Sequence, residues 1–289
     1  MKLAGRFALI TGASQGLGAE IARHYVREGA SVALCARDID ILSKVSAGLF
    51  SLCAANTRIV LARCDVGEPD DVDRLFAQLR AEFPRLDILV NNAGVQGPMG
   101  DIAQVDWREW TDAIRINLLG TVYTSRAAMP IFEKQRYGKI INVSGGGATN
   151  PMPGITAYAA SKAAVVRFTE SLALECKDGG IDVNAIAPGA LVTRMMDQLL
   201  SAGPEKVGKA YFERMRKIAQ EGGTPLEVGS ALCVFLGSAE SDGITGKLIA
   251  ARWDRWEDWP SHLDELNSTD LYTLRRITGR DRGVSWGDR

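Results

Sequence analysis

Tyr158 and Lys162 stand four residues apart in the stretch TAYAASKAAVVRF, which is rich in alanine and reads as helix. On a helix that spacing puts both side chains on one face, a turn apart. A free phenol, with a pKa of about 10, exchanges protons poorly at neutral pH. A nearby ammonium favours the phenolate and lowers that pKa. Lys162 is expected to supply that charge and still hydrogen-bond a ribose. Ser144 follows the apolar run KIINV, fourteen residues before Tyr158. At a strand end its hydroxyl suits a substrate carbonyl or alcohol oxygen. Taken singly, each residue also fits a plain structural role: a packed tyrosine, a surface lysine, a strand-end serine.

A second stretch, TGASQGLGAE from Thr11 to Glu20, places Gly12, Gly16 and Gly18 where an apolar run gives way to helical spacing, with Ser14, Gln15 and Leu17 between them. Each glycine inside a helix costs roughly 1 kcal/mol relative to alanine. Close approach of a ligand to the backbone gives a reason for them. A helix N-terminus offers unpaired N–H groups and a positive dipole end, which suit a pyrophosphate. The next apolar run, SVALCA, ends at Arg37 and Asp38. In dinucleotide-binding folds a carboxylate there holds the adenosine ribose of NAD, and an arginine suits the 2′-phosphate of NADP. Arg37 makes NADP the preferred expectation, with Asp38 leaving NAD open.

These residues need elements to hold them. Short β-rich runs recur: RFALIT, SVALCA, RIVLARC, LDILVNN, GKIINVS and IDVNAIAP. Helical periodicity separates them, as in Leu17, Ile21, Ala22, Tyr25 and Val26, or Val72, Leu75, Phe76 and Leu79. Such alternation predicts an α/β fold with a doubly wound parallel sheet of about seven strands, covered by helices on both faces. Residues 1–250 read as one Rossmann-like domain. Within it, 195–224 is a charged helical stretch interrupted by Gly203-Pro204 and Gly222-Gly223, expected to border the substrate. Residues 251–289 read as a separate extension holding four of the chain's six tryptophans.

Composition removes several classes. Thirty-four basic residues balance thirty-five acidic ones, so no global field for nucleic acid exists. The five cysteines and two histidines show no metal-ligand spacing, so no metal is expected. No apolar run is long enough for a signal peptide or a membrane span. The expectation is a cytoplasmic protein with reduced thiols, acting on a small molecule.

Taken together, TGASQGLG, CDV at Cys64–Val66, NNAG at Asn91–Gly94, RINLLG around Asn117, Ser144, YAASK and PGALVT at Pro188–Thr193 follow one another in a specific order. They resemble the short-chain dehydrogenase/reductase family, of the single-domain kind, over roughly Phe7 to Lys247. The resemblance implies an NAD(P)-dependent alcohol dehydrogenase or carbonyl reductase. Tyr158 would exchange a proton with the substrate oxygen, Ser144 would orient that oxygen, and Lys162 would bind the nicotinamide ribose. Asn117 would hold a water linked to Lys162. Asp65 and Val66 would contact adenine, and Asn91, Ala93 and Gly94 would line the cofactor cleft. Pro188, Gly189 and Thr193 would shape the nicotinamide end. Gly145, Met152 and Met195 are expected at the substrate.

Two features depart from the family pattern. Gln15 stands where many NADP-preferring members carry a basic residue, and the tryptophan-rich extension lies outside the resemblance. The extension is expected on its own subunit, at an oligomer contact or over the substrate as a lid, with Trp253, Trp256 and Trp259 at least partly buried. A helix apolar on several faces around Ala160, Ala164, Val165, Phe168, Leu172 and Leu174 predicts a homodimer or homotetramer. Rival readings are a catalytically silent cofactor-binding sensor or scaffold, and a sugar-nucleotide epimerase or dehydratase.

Overall fold

The computed structural model describes residues 1–54, 56–284 and 286. Seven strands form one parallel sheet: β1 Phe7–Thr11, β2 Ser31–Ala36, β3 Ile59–Arg63, β4 Ile88–Asn91, β5 Gly138–Val143, β6 Ile181–Ala187 and β7 Leu248–Ala250. Their order is β3-β2-β1-β4-β5-β6-β7. Strand order reverses between β1 and β4, and ligands of such sheets bind outside the carboxyl ends of the strands at that point. β2 and β5 are buried along their whole length, as strands covered on both faces must be.

Helices α1 Gly16–Arg27, α2 Ile39–Ala47 and α3 Pro69–Glu82 follow the first three strands. α3 starts with Pro69 in its first turn and Asp70 and Asp71 beside the positive dipole end. Its apolar stripe of Val72, Leu75, Phe76 and Leu79 is buried, worth about 1.5–3 kcal/mol per large side chain relative to exposure. α4 Trp107–Ile114 runs into α5 Gly120–Gln135 through a π turn, Arg115–Leu119, which contains Asn117. Such turns are frequent at functional sites because they re-aim a side chain out of helical register. α6 Thr156–Glu175 carries Tyr158 and Lys162. After β6 come α7 Arg194–Ala202, α8 Pro204–Val207 and α9 Lys209–Gln220, then α10 Leu226–Gly237.

Two cores sandwich the sheet. One joins α1 and α10, with Tyr25 donating from its hydroxyl to the Cys233 carbonyl at 2.7 Å. The other joins α3, α5 and α6. A third, small core of Ile155, Met196, Leu199, Val207 and Met215 belongs to the α7–α9 lobe.

The extension packs on this same chain. Trp256 and Trp259 are buried in the first core, Trp256 against Phe235 at 5.1 Å. α11 Leu263–Ser268 follows. The segment beyond it lies along the outer edge of the sheet, where the Leu248 N–H donates to the Tyr272 carbonyl at 2.8 Å. This covers an edge strand that would otherwise present unpaired backbone groups. Beneath it, buried Lys247 donates to the carbonyls of Leu266 at 2.5 Å and Leu271 at 3.0 Å. Trp253 departs from the expectation of burial: it is 74% exposed, because it points away from the core that takes the next two tryptophans.

Candidate active site

A cleft of about 950 Å³ runs along the carboxyl ends of the strands. The glycine turn forms its floor at the β1–α1 junction. Gly16, at a φ of 54°, faces Thr193 across the cleft, with its Cβ position 3.4 Å from Thr193 Cγ2. Gly18 is required for another reason: a Cβ there would collide with both the Gly12 carbonyl and the Asn92 amide. Gly12, Ser14, Gln15, Gly16 and Leu17 line the cleft, while Gly18 serves the packing beneath it. Thr11 Oγ1 accepts from the N–H groups of Asn92 and Ala93, each at 3.0 Å, and so ties the ends of β1 and β4 together.

At the end of β2, Arg37 is exposed and lines the cleft. The Asp38 carboxylate is turned away: it caps α2, accepting from the N–H groups of Asp40 and Ile41 at 3.0 Å. Asp65, Val66, Ala93 and Gly94 line the same wall. Asn91 does not. It is buried below the cleft, donating to Ser125 Oγ and Asn142 Oδ1 and accepting from Thr124 Oγ1. A buried amide with these partners fixes the centre of the sheet rather than facing a ligand.

At the centre, Ser144 leaves β5 and donates from Oγ to the Lys162 carbonyl at 3.0 Å. The Lys162 ammonium donates to the Val143 carbonyl at 2.7 Å. The Tyr158 hydroxyl lies 2.7 Å from the Cβ position of Gly145, so the residue after Ser144 has room for no side chain. Asn117 sits behind this group. Its amide donates to the Val95 carbonyl and to Ser161 Oγ, both at 2.9 Å, and its Oδ1 accepts from the Val95 N–H at 2.8 Å. Asn117 therefore positions the loop after β4 and α6 together, without lining the cleft itself.

Burial pushes the Tyr158 phenol up to about 12, with the neighbouring Tyr211 phenol adding to the rise. Burial brings Lys162 down to about 8. The expectation that Lys162 lowers Tyr158 is not met. The ammonium is held on a backbone carbonyl, 5.8 Å from the centre of the Tyr158 ring. Burial therefore favours the neutral phenol at Tyr158 over the phenolate.

Pro188, Gly189 and Thr193 line the far wall, and Gly145, Met152 and Met195 line the same cleft on the side of Tyr158. The stretch 195–224 was expected to border the substrate as a whole, but four lining residues were not singled out as cleft residues. Tyr211 and Arg214 come from α9, and Arg252 and Trp253 from the residues just after β7. In a parallel sheet every strand's carboxyl end faces the ligand side, so the residues after β7 carried a positional signal. Among the described residues no cluster of three or more His, Cys, Asp or Glu could hold a metal, and no helix is long and apolar enough to cross a membrane.

The dimensions and chemistry fit a nicotinamide dinucleotide: a glycine floor open to phosphate at a helix N-terminus, and an arginine beyond β2. The comparisons with known proteins agree with that architecture. The family model for short chain dehydrogenases matches residues 6–203. The chain is 38% identical over 256 residues to oxidoreductase UcpA of Escherichia coli strain K12, covering 85% of this chain and 92% of that protein. Among solved structures it is similar to NAD+-bound xylitol dehydrogenase, with a TM-score of 0.79 and 25% identity over 86% of this chain and 98% of the other. It is likewise similar to an actinorhodin polyketide ketoreductase variant with NADPH, with a TM-score of 0.77 and 27% identity over 85% and 95%. The chain belongs to the short-chain dehydrogenase/reductase family and is an oxidoreductase of that family.

Proposed function

We propose that this oxidoreductase interconverts a ketone and a secondary alcohol, with NADP preferred over NAD. The observation that carries the reading is the Tyr158 hydroxyl seated against Gly145, next to Ser144, with Lys162 one helical turn away. The bound nicotinamide supplies or accepts the hydride. Tyr158, protonated at neutral pH, gives its proton to the carbonyl oxygen as that carbon becomes an alcohol, and takes it back in the oxidation. Ser144 fixes the same oxygen when its hydroxyl turns from the Lys162 carbonyl into the cleft. Lys162 places a cation beside the phenol and carries the ribose contact. Asn117 keeps α6 and the loop after β4 in register, so these groups keep their spacing.

The cofactor preference rests on Arg37, because the carboxylate of Asp38 is engaged in capping α2. The α7–α9 lobe covers the substrate end, and the extension from residue 251 belongs to the body of the domain. Free cysteines favour a cytoplasmic setting. Leu174 on α6 is 75% exposed, which favours a homo-oligomer built on that helical face. Assay of a panel of ketones and secondary alcohols with NADP(H) and NAD(H), read by nicotinamide absorbance, tests the reading. Turnover that is faster with the phosphorylated cofactor supports it. Cofactor binding with no hydride transfer to any member counts against it.

A further inference from the structure

Charge in the cleft is one-sided. Asp65 is the one carboxylate among the described lining residues, and it lies at the adenosine end. Arg37, Arg194, Arg214 and Arg252 line the same cleft. Two of these guanidiniums lie along the part of the cleft assigned to the dinucleotide. Arg37 stands beyond β2, and Arg194 follows Thr193, which faces the glycine turn. Arg214 and Arg252 are left over.

Both lie at the opposite end. Arg214 stacks on Tyr211, with its guanidinium 5.3 Å from the ring centre. Tyr211 is close enough to Tyr158 to raise the catalytic phenol. Arg214 is therefore one ring away from the reacting group. Around it on α9, Glu213 pairs with Arg216 at 2.5 Å and Lys217 with Glu221 at 3.8 Å, but no described carboxylate pairs with Arg214. Arg252 follows β7, the edge strand farthest from the adenosine end. It too has no described carboxylate partner, and it stacks at 4.8 Å on Trp253, a large aromatic left exposed at the cleft.

Stacking on an aromatic face orders a guanidinium while leaving its N–H fork free for a planar oxyanion. The two forks also come from different bodies. Arg214 rides on the lobe with its own small core. Arg252 is fixed to the main core, beside buried Ala251 and Trp256. We infer that the substrate carries an oxyanion, a carboxylate or a phosphate, held between Arg214 and Arg252 while its carbonyl or alcohol carbon sits at Tyr158. This rests on the ketone–alcohol reading above and narrows it to acidic substrates.

The test uses charged and neutral pairs: 4-phenyl-2-oxobutanoate with its methyl ester, and acetoacetyl-CoA with the neutral N-acetylcysteamine thioester of acetoacetate. For each pair, kcat/KM is measured alongside binding, read by quenching of tryptophan fluorescence with Trp253→Phe as the control. The charged member of at least one pair is expected to be preferred by about tenfold or more, and the responding pair tells carboxylate from phosphate. Arg214→Gln and Arg252→Gln should each bring the preference down toward one. Arg216→Gln, on the same helix but outside the cleft, should leave it unchanged. Turnover of both members without preference overturns the oxyanion site and leaves the ketone–alcohol reading standing. Preferential binding of the charged member without hydride transfer keeps the oxyanion site and removes that reading. Equal binding of both members, or a preference that survives both arginine substitutions, overturns the inference.

Discussion

The Tyr158 hydroxyl lies 2.7 Å from the point where a side chain on Gly145 would begin. Gly145 is in extended backbone that any residue adopts, so its requirement for glycine comes from this contact alone. Gly145→Ala is expected to fold normally but to displace the phenol. A misplacement of about 1 Å costs on the order of 100-fold in rate. The check is kcat with thermal stability measured in parallel. A normal kcat would mean that the hydroxyl position is not critical.

Arg37→Asp is expected to reverse the cofactor preference. It removes the phosphate partner and puts like charge against the 2′-phosphate. The kcat/KM for NADP should fall by at least about tenfold, since a charge-assisted hydrogen bond contributes about 1.5–3 kcal/mol. The value for NAD should hold or rise. An unchanged ratio would take Arg37 out of cofactor recognition.

Lys162 gives the pH dependence a sign. Its ammonium titrates at about 8, lowered by burial, so the cation is present below that pH and lost above it. Ketone reduction measured as kcat/KM should be flat below about pH 8 and fall above it. Lys162→Met should lose most activity and weaken cofactor binding. Residual activity in that variant should lack the limb near pH 8. If the limb persists, another group titrates there.

Lys247 is a clasp for the extension. Burial lowers its pKa, and its ammonium spans carbonyls of Leu266 and Leu271 on the segment that covers β7. Lys247→Met keeps the volume but leaves those carbonyls without their donor, at a cost of about 1–3 kcal/mol. Calorimetry should show a lower Tm, and proteolysis should first cut within residues 263–284. Unchanged Tm and cleavage would show that the tryptophans alone hold the extension.

Much of this was legible in the sequence, for physical reasons. The strands read as apolar runs because helices cover both faces, and α1 and α3 read from stripes that are in fact buried. Tyr158 and Lys162 share one helix, so spacing alone brought them together. The direction of the Lys162 ammonium was not legible, because it depends on a carbonyl of β5, nineteen residues away. Asn91 was assigned to the cleft by its motif, yet its partners come from α5 and β5 and hold it below. The stretch 195–224 was expected at the substrate, but which of its residues face the cleft, Tyr211 and Arg214, and the presence of Arg252 there, depend on how the lobe and the extension fold. The three clustered tryptophans looked equivalent in sequence. Trp256 and Trp259 meet the core, whereas Trp253 stays at the cleft.

The proton-exchanging role of Tyr158 is probed most sharply by the turnover of Tyr158→Phe, with cofactor binding followed by fluorescence in the same preparation. The ring stays, so packing and the cofactor Kd should stay close to wild type, while the exchangeable proton is gone. The expected result is a fall in kcat of at least about 100-fold in both directions, with Kd for NADP(H) within about threefold of wild type. A variant that binds cofactor and retains near-normal kcat would contradict the assignment of Tyr158 as the proton-exchanging group.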